Sequence, residues 1–186
     1  PGGSYLWNDG VTTASRNISS AGNFAVTVTA QGCSSSDQIN VAVNPLPTFN
    51  LGPDTTLCVG NSINLSAAVP GASYMWSVGS AASTINVSTS GLYWAQADLN
   101  GCSHRDSVVV NFTPLPVVDL GNDTTLCQGQ SLTLNATVPG GSYLWNDGVT
   151  TASRNITSAG NFAVTVTAQG CSSSDQINVT VNPLPV

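Results

Sequence analysis

Short runs of alternating apolar and polar residues fill this chain of 186 residues. Between Pro47 and Leu115 the alternation predicts strands over Thr48–Leu51, Thr55–Cys58, Asn61–Ala67, Ser73–Ser77, Thr84–Ser88, Gly91–Asp98 and Ser107–Phe112. A period of two is typical of half-buried strands, and Gly, Pro, Asn and Ser separate the runs as turn residues do. The pattern predicts an all-β, antiparallel β-sandwich with about seven short strands in each repeat.

The alternation also predicts which side chains face the core. Tyr74 and Trp76 fall on one face of their strand and Met75 falls on the other. The later strands are expected to turn inward Tyr93, Ala95, Ala97, Val108, Val110 and Phe112. We expect the three tryptophans Trp7, Trp76 and Trp145 to be core residues.

Tryptophans and cysteines recur along the chain with a fixed period of 69. The recurring positions are Trp7, Trp76 and Trp145, and Cys33, Cys102 and Cys171. A fixed period of this size indicates one small unit copied in tandem. It predicts a partial immunoglobulin-like repeat at 1–47, which lacks its N-terminal strands, and complete repeats at 48–116 and 117–186. We call these the first, second and third modules.

The modules alternate between two versions. Residues 1–47 differ from 139–185 only at Ser19, which is Thr157 in the later copy, and at Ala42, which is Thr180. Residues 70–116 share only 16 of 47 positions with 139–185. The order is therefore A-B-A. Because the chain starts in mid-module, we expect it to be an internal segment of a longer protein.

A Pro-Leu-Pro sequence closes each module. Proline fixes φ and favours extended conformers, so these junctions are expected to be stiff. We expect the last strand of one module to run almost directly into the first strand of the next. The modules would then form a semi-rigid, rod-like array.

Charged residues are rare and are mostly acidic. They make up 6% of the chain, and nine Asp against three Arg give a net charge of −6. This composition excludes the basic footprint of a nucleic-acid-binding protein. The chain also has no apolar run long enough for membrane insertion.

The cysteine spacing predicts one disulfide in each complete module. Cys58 and Cys102 are 44 residues apart, as are Cys127 and Cys171. Repeats of under about 70–80 residues usually need such a staple. The partner of Cys33 would lie before the first residue. Disulfides place the protein in an oxidising, extracellular compartment.

The motifs resemble those of a known repeat class. The resemblance rests on the Tyr-x-Trp strand, the Gly-x-Tyr/Phe strand and the flanking cysteines. It also rests on the motif Leu-Gly-x-Asp-Thr-Thr-Leu-Cys-x-Gly, which starts at Leu51 and Leu120. The chain resembles the immunoglobulin-like and PKD-like tandem repeats of giant surface proteins of Bacteroidota. These include gliding-motility adhesins of the SprB type and other cargo of type IX secretion. The resemblance implies a bacterial cell-surface location and O-glycosylation at Thr55, Ser107 and Thr124.

Few residues are candidates for chemistry, and we expect no enzyme. His104, the only histidine, is replaced by serine in the A modules and lacks catalytic partners. Trp94 is predicted to face outward, where it could stack on a glycan or contact a neighbouring module. Where the versions differ, Trp94, His104 and Arg105 are the candidates for ligand or inter-module contact. We expect no cofactor, although Asp54, Asp119 and Asp123 are weak calcium candidates near the junctions.

The leading functional hypothesis is structural. It describes a stalk or filament segment of a repetitive extracellular adhesin, whose partners are neighbouring repeats of the same chain. One alternative is a glycan-binding module that uses exposed aromatics. Another is a self-assembling extracellular fibre, because low charge leaves strand edges poorly protected against lateral association.

Overall fold

A computed structural model describes residues 2–185, which form β-strands and no helix. The strands are β1 (Ser4–Trp7), β2 (Gly22–Ala30), β3 (Cys33–Val41), β4 (Thr55–Cys58), β5 (Ile63–Ser66), β6 (Ser73–Trp76), β7 (Thr84–Val87), β8 (Gly91–Leu99), β9 (Cys102–Thr113), β10 (Thr124–Cys127), β11 (Leu132–Asn135), β12 (Ser142–Trp145), β13 (Ser153–Ile156), β14 (Gly160–Ala168) and β15 (Cys171–Asn182). Pro1 and Val186, the outermost residues of the predicted first and third modules, lie outside the described residues. Within 2–185 there is no long apolar helix of the kind that spans a bilayer.

Each complete module pairs a four-stranded sheet with a two-stranded sheet. The second module has the orders β4-β9-β8-β6 and β5-β7, and the third has β10-β15-β14-β12 and β11-β13. Every ladder within residues 2–185 joins strands of one module. The predicted all-β sandwich is confirmed, with six strands where the alternation predicted seven.

One ladder in each complete module is parallel. Strand β4 pairs in parallel with β9, from Thr55 opposite Val110 to Cys58 opposite Thr113. Strand β10 pairs with β15 in the same way. The first and last strands of a module therefore run in the same direction. The chain enters a module at one end and leaves it at the opposite end.

The two complete modules have separate cores, built as the alternation predicted. Trp76 and Trp145 are each 1% exposed and lie at the centre of one core. Tyr93, Ala95, Ala97, Val108 and Val110 are buried, Phe112 packs against the core of the second module, and Met75 is exposed. Burial of large apolar side chains is the main favourable contribution to folding such small modules.

Three details of the predicted strands are wrong. Thr48–Leu51 forms no strand, because the Leu51 N–H donates to the Asp106 carboxylate at 2.8 Å and not to a neighbouring strand. The last strand is longer than Ser107–Phe112 and begins at Cys102. A tight turn makes this extension possible, since Asn100 and Gly101 both have positive φ (51° and 79°). Ten residues also separate β9 from β10, so the strands do not run directly into each other.

The first module forms a single three-stranded sheet, β1-β2-β3. Within residues 2–185 no second sheet lies against it, in contrast to the third module. Ile39 is consequently 58% exposed, whereas its equivalent Ile177 is 2% exposed. Trp7 is only half-buried, so its predicted core position is not reached.

Candidate functional site

A disulfide crosses the junction between the second and third modules. Cys58, the last residue of β4, is bonded to Cys171, the first residue of β15. Their Cα atoms are 5.6 Å apart, within the usual range for a disulfide. The bond connects residues 113 positions apart in sequence and fastens one sandwich to the next.

The predicted disulfides within modules, Cys58–Cys102 and Cys127–Cys171, are therefore wrong. Cys33, Cys102 and Cys127 are free thiols. The parallel ladder places Cys58 beside Thr113, at the end of β9, while Cys102 is at the start of the same strand. A strand rises about 3.3 Å per residue, so these ends are roughly 36 Å apart, far beyond the reach of a disulfide.

The linker at this junction is held by polar and apolar contacts on the third module. Pro116 is buried, while Leu115 and Val117 on either side are 44% and 86% exposed. Leu120 packs into the third core, and its N–H donates to the Asp175 carboxylate at 2.6 Å. The linker therefore follows the edge of the third module before β10 begins.

The calcium candidates already accept hydrogen bonds from backbone N–H groups of other residues. Asp54 accepts the Val109 N–H and Asp123 accepts the Asn178 N–H, each at 2.8 Å. Asp119 accepts the Gly121 N–H two residues further on, also at 2.8 Å. Within residues 2–185 no three His, Cys, Asp or Glu side chains are grouped as a metal site would need. Calcium binding stays an untested prediction.

Trp94 and Arg105 come together on the outer face of the second module. The Arg105 guanidinium carbon lies 3.6 Å from the centre of a Trp94 ring. This is close cation–π stacking, and it covers one face of the indole. Beside the pair, the Gln96 amide donates to Asp98 at 3.1 Å. Trp94 is half-buried as a result, not an open platform.

The same face of the third module has a different surface. Ala163 replaces Trp94, and paired hydroxyls join β14 to β15 at Thr165–Ser174 (3.0 Å) and Thr167–Ser172 (2.8 Å). Thr27 and Ser36 form the equivalent pair in the first module. The A modules therefore present small hydroxyl side chains where the B module presents an aromatic and a cation.

His104 does not join Trp94 and Arg105. It lies on the opposite face of β9, where its ring meets Phe49 edge-on with ring centres 5.2 Å apart. The third module has Ser173 and Val118 at these two positions. Both members of this contact are therefore replaced together between the two versions of the module. The predicted contact site of Trp94, His104 and Arg105 is divided between two faces of the sheet.

The predicted O-glycosylation positions differ in exposure. Ser107 is exposed, whereas Thr55 and Thr124 are half-buried at the first residues of β4 and β10. Modification at these positions stays a prediction.

A charge pair distinguishes A modules from the B module. Arg154 donates two hydrogen bonds to the Asp147 carboxylate, at 2.9 and 2.7 Å, and its guanidinium lies over the Trp145 and Phe162 rings. The second module has Ile85 and Val78 at the two charged positions. The hydrogen bond from Arg154 holds the pKa of Asp147 below its ordinary value of 3.8.

The charge pair predicts a specific loss of stability in acid. Because the pKa of Asp147 is lowered by folding, the pair stabilises the native state above pH 3.8 and is lost as pH falls through the native pKa. An Asp147→Asn variant should therefore lose less stability than the unmodified chain between neutral pH and about pH 2. Thermal unfolding at both pH values measures this difference, and an Arg154→Gln variant, which removes the other partner of the pair, should show the same reduced acid sensitivity. Equal acid sensitivity of the Asp147 variant and the unmodified chain would contradict it.

Comparison with known proteins identifies the fold. No protein-family model matches the chain, and no curated protein sequence does. A three-domain structure of titin domains I67–I69 matches with a TM-score of 0.53 and 13% identity, covering 96% of this chain and 87% of that one. Extracellular domains 3–5 of Drosophila OTK match at a TM-score of 0.45 and 12% identity, over 92% and 74% of the two chains. The titin match agrees with the sandwich layers described above: the chain is a tandem array of immunoglobulin-like β-sandwiches.

Proposed function

We propose that this chain is a stalk segment of a long, repetitive extracellular adhesin on a bacterial cell surface. The observation that carries the proposal is the disulfide between Cys58 and Cys171, which fastens one module covalently to the next. A spacer must hold its modules in a set order and resist separation at the junctions. A covalent bond at a junction supplies that resistance without any ligand.

The parallel ladder supports a load-bearing role. When the junction disulfide is reduced, a pull on the array draws the first strand of a module towards one end and the last strand towards the other. The four residue pairs between β10 and β15, from Thr124–Val179 to Cys127–Asn182, are then loaded in shear. Their hydrogen bonds must break together, which resists tension better than opening them one at a time. The same arrangement recurs between β4 and β9.

The surface chemistry is also compatible with a spacer. Arg105 covers one face of Trp94, so the outer face has no bare aromatic platform on which a sugar would stack. The A modules present hydroxyl pairs at the same place. These observations favour a structural role over the glycan-binding alternative. The resemblance to Bacteroidota adhesin repeats, including those of gliding motility and type IX secretion, supports the proposed cell-surface source.

Small-angle X-ray scattering of the oxidised chain tests the proposal. A compact domain of this length has a radius of gyration of about 16 Å. Modules aligned end to end should give roughly twice that value, because each module contains a strand of up to twelve residues, about 40 Å long. A monomer whose radius of gyration matches that of the compact domain would contradict the stalk. Growth of the scattering mass with concentration would support the lateral fibre instead.

A further inference from the structure

The sequence separation of the junction disulfide is related to the repeat period. Its two cysteines are 113 residues apart, which is one period of 69 plus the 44 residues that separate Cys58 from Cys102. Cys102 is one period before Cys171, and Cys127 is one period after Cys58. Two of the three free thiols, Cys102 and Cys127, therefore occupy the same positions in their modules as the two bonded cysteines.

Cys102 has the surroundings of its bonded equivalent. Its Sγ lies 3.7 Å from the carbonyl oxygen of Asn44, the last residue before Pro-Leu-Pro at the first junction. Cys171 Sγ lies 3.9 Å from the carbonyl oxygen of Thr113, the last residue before the second Pro-Leu-Pro. A bond from the Asn44 amide to the Asn100 carbonyl, at 2.9 Å, fixes the first junction further. Cys102 is therefore placed at the first junction as Cys171 is placed at the second, although its thiol is free.

Cys127 has the surroundings of the other half. The residue after it, Gln128, donates its N–H to the Asn182 carbonyl at 2.8 Å. The residue after Cys58, Val59, donates to the Thr113 carbonyl at 2.9 Å in the same way. Both cysteines are therefore placed beside the end of the last strand of their own module. Cys127 is exposed there.

We propose that Cys102 and Cys127 are half-sites for further junction disulfides, which repeat the sequence separation of the Cys58–Cys171 bond at successive junctions. The cysteine at the end of a module's first strand is then bonded to the cysteine that begins the last strand of the next module. The partner of each half-site is a further module of the same series. Each bond forms when two thiols lose two protons and two electrons to a disulfide oxidant, which leaves as two thiols. The inference concerns the linkage between modules and does not depend on the adhesin proposal.

This linkage changes how far an array can extend. Without the junction disulfides, all the residues of one repeat period can extend when a module unfolds under load. With both junctions bonded, short covalent paths cross the second module, from Thr48 to Cys58 (10 residues) and from Cys102 to Pro116 (14 residues). At about 3.6 Å per residue the maximal extension per module falls from roughly 250 Å to at most roughly 50 Å, close to the length of the folded module.

An extended chain tests the linkage directly. Residues 49–116 are appended after Val186, in the register of the A-B alternation, so that a second copy of Cys102 follows Cys127 at the separation that joins Cys58 to Cys171. The chain is refolded with oxidised and reduced glutathione, its free thiols are alkylated, and its disulfides are mapped by mass spectrometry. We expect Cys127 to be bonded to the appended copy of Cys102, and Cys58 to stay bonded to Cys171. A Cys127→Ser variant should leave the appended copy of Cys102 alkylated, while thermal unfolding of the variant shows that the module is folded.

Two results would overturn the proposal. One is a bond between Cys127 and Cys171, which is the linkage within a module. The other is alkylation of both Cys127 and the appended copy of Cys102 in a chain whose modules are folded. Force spectroscopy on longer arrays gives a second readout, since unfolding a module should add almost no length in the oxidised array and should add most of the roughly 250 Å of one repeat once a reductant is present. Unchanged extensions would argue against bonds at successive junctions.

Discussion

Replacing Cys58 by Ser is expected to lower the combined stability of the second and third modules by about 5 kcal/mol. The bond closes a loop of more than one hundred residues, and in the chain-entropy model its main effect is to restrict the unfolded chain. The loss should appear as a lower urea midpoint of unfolding for these modules. It should also separate one coupled transition into two, because the junction no longer transmits folding from one sandwich to the next.

The chain provides a matched control for this variant. Cys127 occupies the equivalent position in the third module but is free, so Cys127→Ser removes the same side chain without removing a bond. Its unfolding should match that of the unmodified chain. Cys171→Ser should reproduce the effect of Cys58→Ser, since either change breaks the same disulfide. Equal midpoints for all of these variants would show that the junction bond does not stabilise the protein.

Replacing Trp145 by Ala is expected to destabilise the third module by about 3–5 kcal/mol. The indole is 1% exposed, and its Nε1–H donates to the Thr151 carbonyl at 2.8 Å. The substitution removes this hydrogen bond and leaves a cavity that a close-packed core fills only in part. Urea unfolding followed by circular dichroism measures the loss, and a module of this size is expected to be mostly unfolded afterwards.

Trp7 is a control in nearly identical sequence. Its Nε1–H makes the same bond, to the Thr13 carbonyl at 2.9 Å, but its ring is only half-buried. Trp7→Ala should therefore cost clearly less than Trp145→Ala, because less apolar surface is returned to water and no closed cavity forms. Equal losses at the two positions would mean that local contacts, and not the opposing sheet, determine the contribution of this tryptophan.

Much of the fold follows from local alternation. The inward and outward positions of β6, β8 and β9 were predictable because a strand places successive side chains on opposite faces. The turn at Asn100-Gly101 was predictable because these residues adopt positive φ easily. The segment 48–51 was mistaken for a strand because Phe49 and Leu51 alternate as strand residues do. Whether such a segment forms a ladder depends on a distant partner, here the Asp106 carboxylate.

The candidate site was less predictable. Trp94 was expected outside the core, but the stacking of Arg105 on it depends on the diagonal register between β8 and β9. The cysteine pairing was wrong for a related reason. In a strict repeat, the separation within a module and the separation across a junction are equally periodic, so spacing cannot choose between the two kinds of bond. The parallel ladder decides, because it places Cys58 and Cys102 at opposite ends of the sandwich.

The sequence by itself determined the repeat period, the all-β class, the A-B-A order and the faces of the strands, since all of these are local or repeated properties of the chain. Only the tertiary structure decided which recurring cysteines pair and which side chains meet on the outer face. Cys58 pairs with Cys171 and not with Cys102, because the parallel ladder places Cys58 and Cys102 at opposite ends of one sandwich. Arg105 stacks on Trp94 because the register of β8 and β9 places both on the same face of neighbouring strands. Such contacts join residues that are distant in sequence, and a local pattern does not determine them.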